Sequence, residues 1–214
     1  MNIVSDFKNF DFKDLNFSQP KINNMGGQSV YINNKSSKLT IQTPKCYIPF
    51  GISSYQTNYG MKYNIDLSLK EQETNDFKQF LNGLDEYMID TATKNGKEWF
   101  KKELKHNVVD ELYKKTLKKS DKFPPLMKMK FPCDDKGEFQ GEVYDASGNN
   151  LISTNKITKG CSIQVIAEMV GVYFVAKEFG ITWKVLQIRV YPNKQLQGFS
   201  FVDDDVNEED VLPP

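Results

Sequence analysis

The sequence has one histidine, His106, and three cysteines, Cys46, Cys133 and Cys161, too far apart to form a C-x-x-C pair. Structural zinc sites draw their ligands from such pairs, so none is expected. The cysteines read as small apolar fillers in a reducing compartment. No apolar run reaches the ~18 residues that a membrane-spanning helix needs. Met1-Asn2-Ile3-Val4-Ser5-Asp6 lacks the basic and apolar regions of a secretion signal, and an intracellular protein without a membrane partner is the expectation. The patterns G-x-S-x-G, G-x-x-x-x-G-K-[ST] and G-x-G-x-x-G are absent too. With no nucleophile motif, no histidine pair and no phosphate loop, the expectation is a binding protein, not an enzyme. Such a protein needs no metal, nucleotide or redox cofactor.

Charge is present but unevenly placed. The full chain balances 28 Lys+Arg against 28 Asp+Glu. Six of the acids, Asp203, Asp204, Asp205, Glu208, Glu209 and Asp210, lie in the last twelve residues, which contain no base. Setting those 6 of the 28 acids aside leaves a body with a net charge of about +6. A basic body with an acidic end concerns partners and association kinetics, not fold. It suits a nucleic-acid binder whose tail occupies its own site or recruits a basic partner.

At 214 residues the chain is one domain with embellishments, or at most two. The 15 Phe, 10 Tyr and 2 Trp can build a core and leave some rings for the surface. Residues 1–26, with Phe7, Phe10, Phe12 and Phe17 among polar neighbours, read as an arm that packs on the body or on a second copy, so a homodimer is one expectation. Residues 28–33 and 38–43 flank the turn-rich Asn33-Asn34-Lys35-Ser36-Ser37 as a hairpin. Residues 61–69 alternate with period two, a half-buried strand. Phe77, Phe80, Leu81, Leu84 and Met88 fall on one face of a helix over 73–95, with Gly96 as its C-cap. Helical stretches follow at 97–104 and 108–118, the latter with lysines on a solvated face. Residues 126–131 and 138–145 read as a hairpin turning at Asp134-Asp135-Lys136-Gly137. Residues 162–175 form a long strand with a bulge or bend at Gly171; Glu178-Phe179-Gly180 turns it into a strand over 181–191. The order predicts an α+β, mainly β fold, with a small barrel or strongly curved sheet and helices inserted at about 73–119.

The last of these strands suggests a site. Even positions from Leu186 onward, namely Leu186, Ile188 and Val190, face the core on this reading. Trp183, Gln187 and Arg189 then share the open face, a stacking platform with a phosphate partner beside it. Lys128 and Lys130 share one face of 126–131. Lys45, Tyr47, Phe50 and Tyr55 interleave base and aromatic in an apparent loop.

Several segments together resemble a known family. They are Lys159-Gly160-Cys161, Gly171-Val172-Tyr173-Phe174, 179–187 from Phe179 to Gln187, Ile41-Gln42-Thr43-Pro44-Lys45, Pro49-Phe50-Gly51-Ile52, Trp99-Phe100-Lys101-Lys102 and Pro124-Pro125. In order and spacing they are similar to single-stranded DNA-binding proteins of large DNA viruses of eukaryotes, related in fold to a phage replication protein. The resemblance runs over most of 28–202. It implies an OB-fold-like five-stranded barrel with inserted helices, divided as an arm (1–26), a binding domain (27–202) and an acidic disordered tail (203–214). It implies sequence-independent binding of single strands in viral DNA replication, recombination and repair, at the replication site in host cytoplasm or nucleus or in the virion. The tail would compete with DNA or dock viral replication proteins. Lys45, Phe50, Trp183 and Lys184 lie in the matching motifs. The alternative is a virion structural or adaptor protein that uses the Phe-rich arm and the acidic tail for protein contacts.

Overall fold

The computed structural model describes residues 3–22, 26–70 and 72–191. The six tail acids therefore lie outside the described residues. The chain begins with β1 (Ile3–Val4), β2 (Leu15–Phe17), β3 (Lys21–Ile22), β4 (Gln28–Asn34), β5 (Thr40–Gln42), β6 (Cys46–Tyr47), β7 (Ile52–Thr57) and β8 (Gly60–Ser68). Helices α1 (Asn75–Lys94), α2 (Gly96–Phe100) and α3 (His106–Leu112) follow. Then come β9 (Tyr113–Lys114), β10 (Leu117–Lys118), β11 (Leu126–Lys130), β12 (Glu142–Tyr144), β13 (Ser162–Val175) and β14 (Glu178–Tyr191). The fold is mainly β with few helices, and the helices enter between β8 and β9.

The long antiparallel pair β13–β14 organises the sheet. Ile163, Val165, Ala167 and Met169 alternate inward along β13, the pattern of a strand with one buried face. The turn between the two strands is at Ala176-Lys177, before the predicted 178–180, and Ala176 takes a left-handed φ of 52°. β13 also pairs with β6, β6 with β8, β8 with β11 and β11 with β14. Two of these links are thin, Tyr47 opposite Ser68 and Lys130 opposite Lys184.

Two irregularities in β13–β14 decide which side chains face inward. The register passes from Ile166 opposite Gln187 to Ala167 opposite Val185, so Leu186 is the extra residue of a bulge. Inward parity flips there: Trp183 and Val185 are buried before it, Ile188 and Val190 after it. A second shift between Met169 and Gly171 fulfils the bend expected at Gly171. A Cβ on Gly171 would lie 2.3 Å from the Val30 carbonyl oxygen, so only glycine lets β4 approach.

Both predicted short hairpins turn where expected but pair elsewhere. β4 and β5 each pair with β13, at Gly171–Phe174 and Ile166–Glu168, not with one another. β11 pairs with β8 and β14, while β12 runs parallel to β14. The long strands offer more apolar partner surface than the short ones could give each other.

Helix α1 buries Phe77, Phe80, Leu81, Leu84, Met88, Ile89 and Ala92 as the 3.6-residue period requires. Gly96 opens α2 and does not cap α1; Asn95 stands at that junction. Asp85 is buried on the same helix and accepts bonds from the Tyr113 hydroxyl (2.7 Å) and from Thr116 N (2.9 Å) and Oγ1 (2.6 Å). Burial holds its carboxyl above the usual carboxylate range, so Asp85 is a structural tie to the strands. The N-terminal arm packs on α1 of its own chain. The Phe7 ring lies 4.8 Å from Phe77 and 5.0 Å from Phe80, and Phe12 stacks on Phe80 and Tyr87.

Candidate nucleic-acid interface

The odd residues of β8, Ile65 and Leu67, are fully buried, so its even residues Lys62, Asn64, Asp66 and Ser68 face outward. β6 and β7 flank β8 on one side and β11 on the other. Register then fixes the neighbours. On the first side Tyr47 stands opposite Ser68, Ser53 opposite Asn64 and Tyr55 opposite Lys62. On the second, Lys128 stands opposite Asp66 and Lys130 opposite Asn64. Beyond β11, Lys118 on β10 stands opposite Leu126.

The result is a groove between two unlike rails. Its floor is short and polar: Asn64 and Ser68 are buried at 7% and 5% exposure, with Lys130 beside the first and Tyr47 and Leu126 beside the second. One rail is aromatic, with Tyr47 39% and Tyr55 51% exposed. The other is basic, made of Lys118, Lys128 and Lys130, with Lys62 at the Tyr55 end. From Lys62 to Ser68 the floor runs ~20 Å at ~3.3 Å per residue.

Lysines outnumber carboxylates on this surface, where Asp66 stands among Lys62, Lys118, Lys128 and Lys130. Lys130 stands opposite Lys184 across strands and near Lys62. Desolvation, then repulsion by Lys62, holds its ammonium below the usual lysine range. Like charges directly opposite each other on a sheet destabilise it. Asp66 on the floor is pushed up by desolvation, which outweighs the opposing pull of Lys128 and Lys118.

Phe50 lies in the loop that joins β6 to β7. The loop after β6 is fixed by Ile48, whose N–H donates to the Cys161 carbonyl (3.0 Å) and whose carbonyl accepts from Gly160 N (2.9 Å). The Phe50 ring is left 60% exposed. Gly51, at φ +70°, lets this loop lie on the backbone of Lys159. The Lys45 ammonium lies 4.4 Å from the centre of the Tyr191 ring, a cation–π contact.

The candidates from sequence thus divide. Tyr47, Tyr55, Lys128 and Lys130 come together along β8, with Phe50 in the adjoining loop. Lys45 stands over Tyr191, which shares with Tyr47 the neighbour Ser162. Trp183 is a correction: it is 2% exposed in the core and its Nε1 has no hydrogen-bond partner among the described residues, because the Leu186 bulge turns it inward. Lys184 stands on the outer face, half-exposed, between Lys130 and Glu168. Arg189 is exposed but away from the rails, opposite Gln164 and Tyr144. Sequence reasoning missed Lys62, Asn64 and Ser53. The signal was there in the polar half of the β8 alternation. Lys118, read as part of a solvated helix face, lies on β10.

A family model described only as a family of unknown function, DUF5871, matches residues 62–203. The chain belongs to this family. The match begins at Lys62, so within the described residues it takes in β11, β14 and the floor of the groove. A curated relative, "Uncharacterized protein L291" of Acanthamoeba polyphaga mimivirus, is 29% identical over 192 residues, 83% of this chain and 31% of that protein. The chain therefore spans about a third of that relative's length. Among solved structures, the single-stranded DNA-binding protein from bacteriophage Enc34 in complex with ssDNA is similar at TM-score 0.49 and 16% identity, over 79% of this chain and 93% of that one. The single-stranded DNA-binding protein gp2.5 of bacteriophage T7 is similar at TM-score 0.48 and 12% identity, over 83% of this chain and all of that one (100%). Likeness at this level leaves the function to be argued from the groove.

Proposed function

We propose that this DUF5871 chain binds single-stranded DNA without regard to base sequence along most of its length, through the groove over β8. The observation that carries the proposal is the pairing of rails: exposed Tyr47 and Tyr55 along one side of β8, Lys128 and Lys130 along the other. A single strand has the same two-sided character, with bases on one side and phosphates on the other. A base stacked on an aromatic is worth about 1–3 kcal/mol, whatever the base. Each phosphate neutralised releases counterions and contributes a salt slope of about −0.7. A duplex hides its base faces and cannot use the aromatic rail. The ~20 Å floor suits a few nucleotides, the lower end of the ~4–16 that one OB fold takes.

On this reading the strand circuit β6–β8–β11–β14–β13 is an OB-like barrel carrying its ligand on the outer face. The acidic tail is a competitor for the basic rail or a dock for replication proteins, and replication, recombination and repair of viral DNA are the settings such binding serves. The adaptor alternative is less favoured, because Phe7, Phe10 and Phe12 are occupied on α1 of their own chain. Burial pushes the Cys46 thiol up to about 12, away from a reactive thiolate, and His106 Nε2 lies 3.1 Å from Asp90 on an exposed surface.

The test is a fluorescence titration of the full chain with a ~30-nucleotide oligo(dT) and a matched duplex at two salt concentrations. Tighter binding of the single strand, weakened by salt, is expected. Equal affinity for both, or none for either, overturns the proposal.

A further inference from the structure

A second concavity lies on the outer face of β13–β14, near Lys184 but off the groove. It is a cavity of about 230 Å³ lined by Gln42, Tyr144, Gln164, Ile166, Gln187 and Arg189 among others. Register builds it. Ile166 stands between Gln42 and Gln187, and Gln164 stands opposite Arg189, which in turn stands opposite Tyr144. Ile166 is two residues along β13 from Glu168, the partner of Lys184. An apolar floor is thus rimmed by three carboxamides, a phenol and a guanidinium.

Arg189 is the sole arginine in a chain whose other bases are lysines. Among the described residues it forms no ion pair. The guanidinium rests on the turn at Gly148, where a Cβ would lie 2.9 Å from Nη2. That turn is tied by Asp145, which accepts from Gly148 N (2.9 Å), Ser147 Oγ (2.6 Å) and Asn150 Nδ2 (2.7 Å). Beside the cavity, Glu142 Oε2 accepts from Gln187 Nε2 (2.7 Å) and the Tyr144 hydroxyl (2.8 Å).

We propose that this cavity takes one guanine base of the bound strand. The inference rests on the single-strand reading above and adds a base preference to it at one position. A guanidinium presents two parallel donors, the match for guanine O6 and N7. Guanine also carries the N2 amino donor, for which the carboxamide oxygens and the Glu142 carboxylate are acceptors. A phosphate offers only acceptors and would lie near the Glu142 carboxylate, whereas guanine matches both the donors and the acceptors of the rim. The volume is below the ~300–1,000 Å³ of sites for drug-sized ligands and suits a single flat ring.

The test compares three oligonucleotides of about 15 residues on the full chain: all dT, dT with one central dG, and dT with one central 7-deaza-dG, which lacks the N7 acceptor. The single dG is expected to tighten binding about tenfold, the scale of one bidentate base contact. The 7-deaza base should lose most of that gain. In R189K, which keeps the charge but not the fork, the dG-to-dT affinity ratio should fall to about one. A ratio of one in the wild type overturns the guanine site and leaves the groove reading standing. So does an R189K variant that weakens all three strands equally, which marks a phosphate contact. No binding of any strand at low salt overturns the groove reading itself.

Discussion

Two groups of aromatic residues in this molecule have opposite fates. Phe7, Phe10 and Phe12 of the arm close over Phe77, Phe80 and Tyr87 of α1 in a run of ring contacts between 4.8 and 5.8 Å. Tyr47, Phe50 and Tyr55 lie along or beside the outer face of β8 at 39%, 60% and 51% exposure. The difference is in their surroundings. The arm rings meet an amphipathic helix whose apolar face needs a cover. The groove rings flank a polar floor with lysines along its far edge, and Tyr47 has only Leu126 beyond Ser68 as an apolar neighbour across the strand. Aromatic content therefore says little until the neighbours across the strand or helix are known.

The largest effect that separates the two groups is on stability. Trp183→Ala and Phe80→Ala each empty a buried site and should cost about 3–5 kcal/mol in denaturant unfolding. Trp183→Ala tests the Leu186 bulge as well. A variant that loses DNA affinity while its unfolding midpoint stays put would return Trp183 to the surface. Tyr55→Ala should do the reverse: about 1–3 kcal/mol weaker binding of oligo(dT) with an unfolding midpoint near wild type. If Tyr55→Ala destabilises the fold as Phe80→Ala does, the distinction between core and rail rings fails.

The basic rail gives a smaller, two-sided effect. Lys130 carries a charge that the fold opposes, first by desolvation and then by the nearby Lys62. Its lowered pKa means the native state holds fewer protons than the unfolded chain. Stability therefore rises with pH from the folded pKa to the ordinary lysine value, where the charge and its cost are lost. Lys130→Met should raise the thermal midpoint by about 1–2 °C at neutral pH. It should also reduce the magnitude of the salt slope for oligo(dT) by about 0.7. A lower midpoint, or an unchanged slope, would show that Lys130 serves the fold and not a phosphate.

How much of this was readable from sequence depended on whether the deciding contact was local. The α1 face, the β8 alternation and the bend at Gly171 follow from period and residue type alone. Tyr47, Tyr55, Lys128 and Lys130 were readable as a mixed set, since each sits in an alternating or interleaved stretch. Trp183 faces inward because one extra residue, Leu186, enters between Val185 and Gln187, and no local pattern announces a bulge. The two short hairpins failed for a non-local reason. β4, β5, β11 and β12 have the turns of hairpins but pair with the long strands, and pairing is chosen across more than a hundred residues in the case of Ile41 and Ala167. Lys62 was visible but went unweighed, because its partners Tyr55 and Lys130 become neighbours only through register.

The smallest effect concerns the floor between the rails. Asp66 faces Lys128, yet desolvation holds its carboxyl above the usual carboxylate range. A raised folded pKa makes the native state bind its proton more readily than the unfolded chain does. The cost of ionising Asp66 in the groove is therefore fully present above that raised value and is relieved as pH falls through it. The same negative charge opposes a phosphate on the rail. Asp66→Asn should tighten oligo(dT) about two- to fivefold at low salt and neutral pH, the scale of one partly screened charge. Below the folded pKa wild type and variant should converge, since both are then neutral at this position. Weaker binding by Asp66→Asn would mean that Asp66 aligns Lys128 for the phosphate and that the floor carries a positioning contact. A gain that persists unchanged at low pH would put the effect outside the carboxyl's charge.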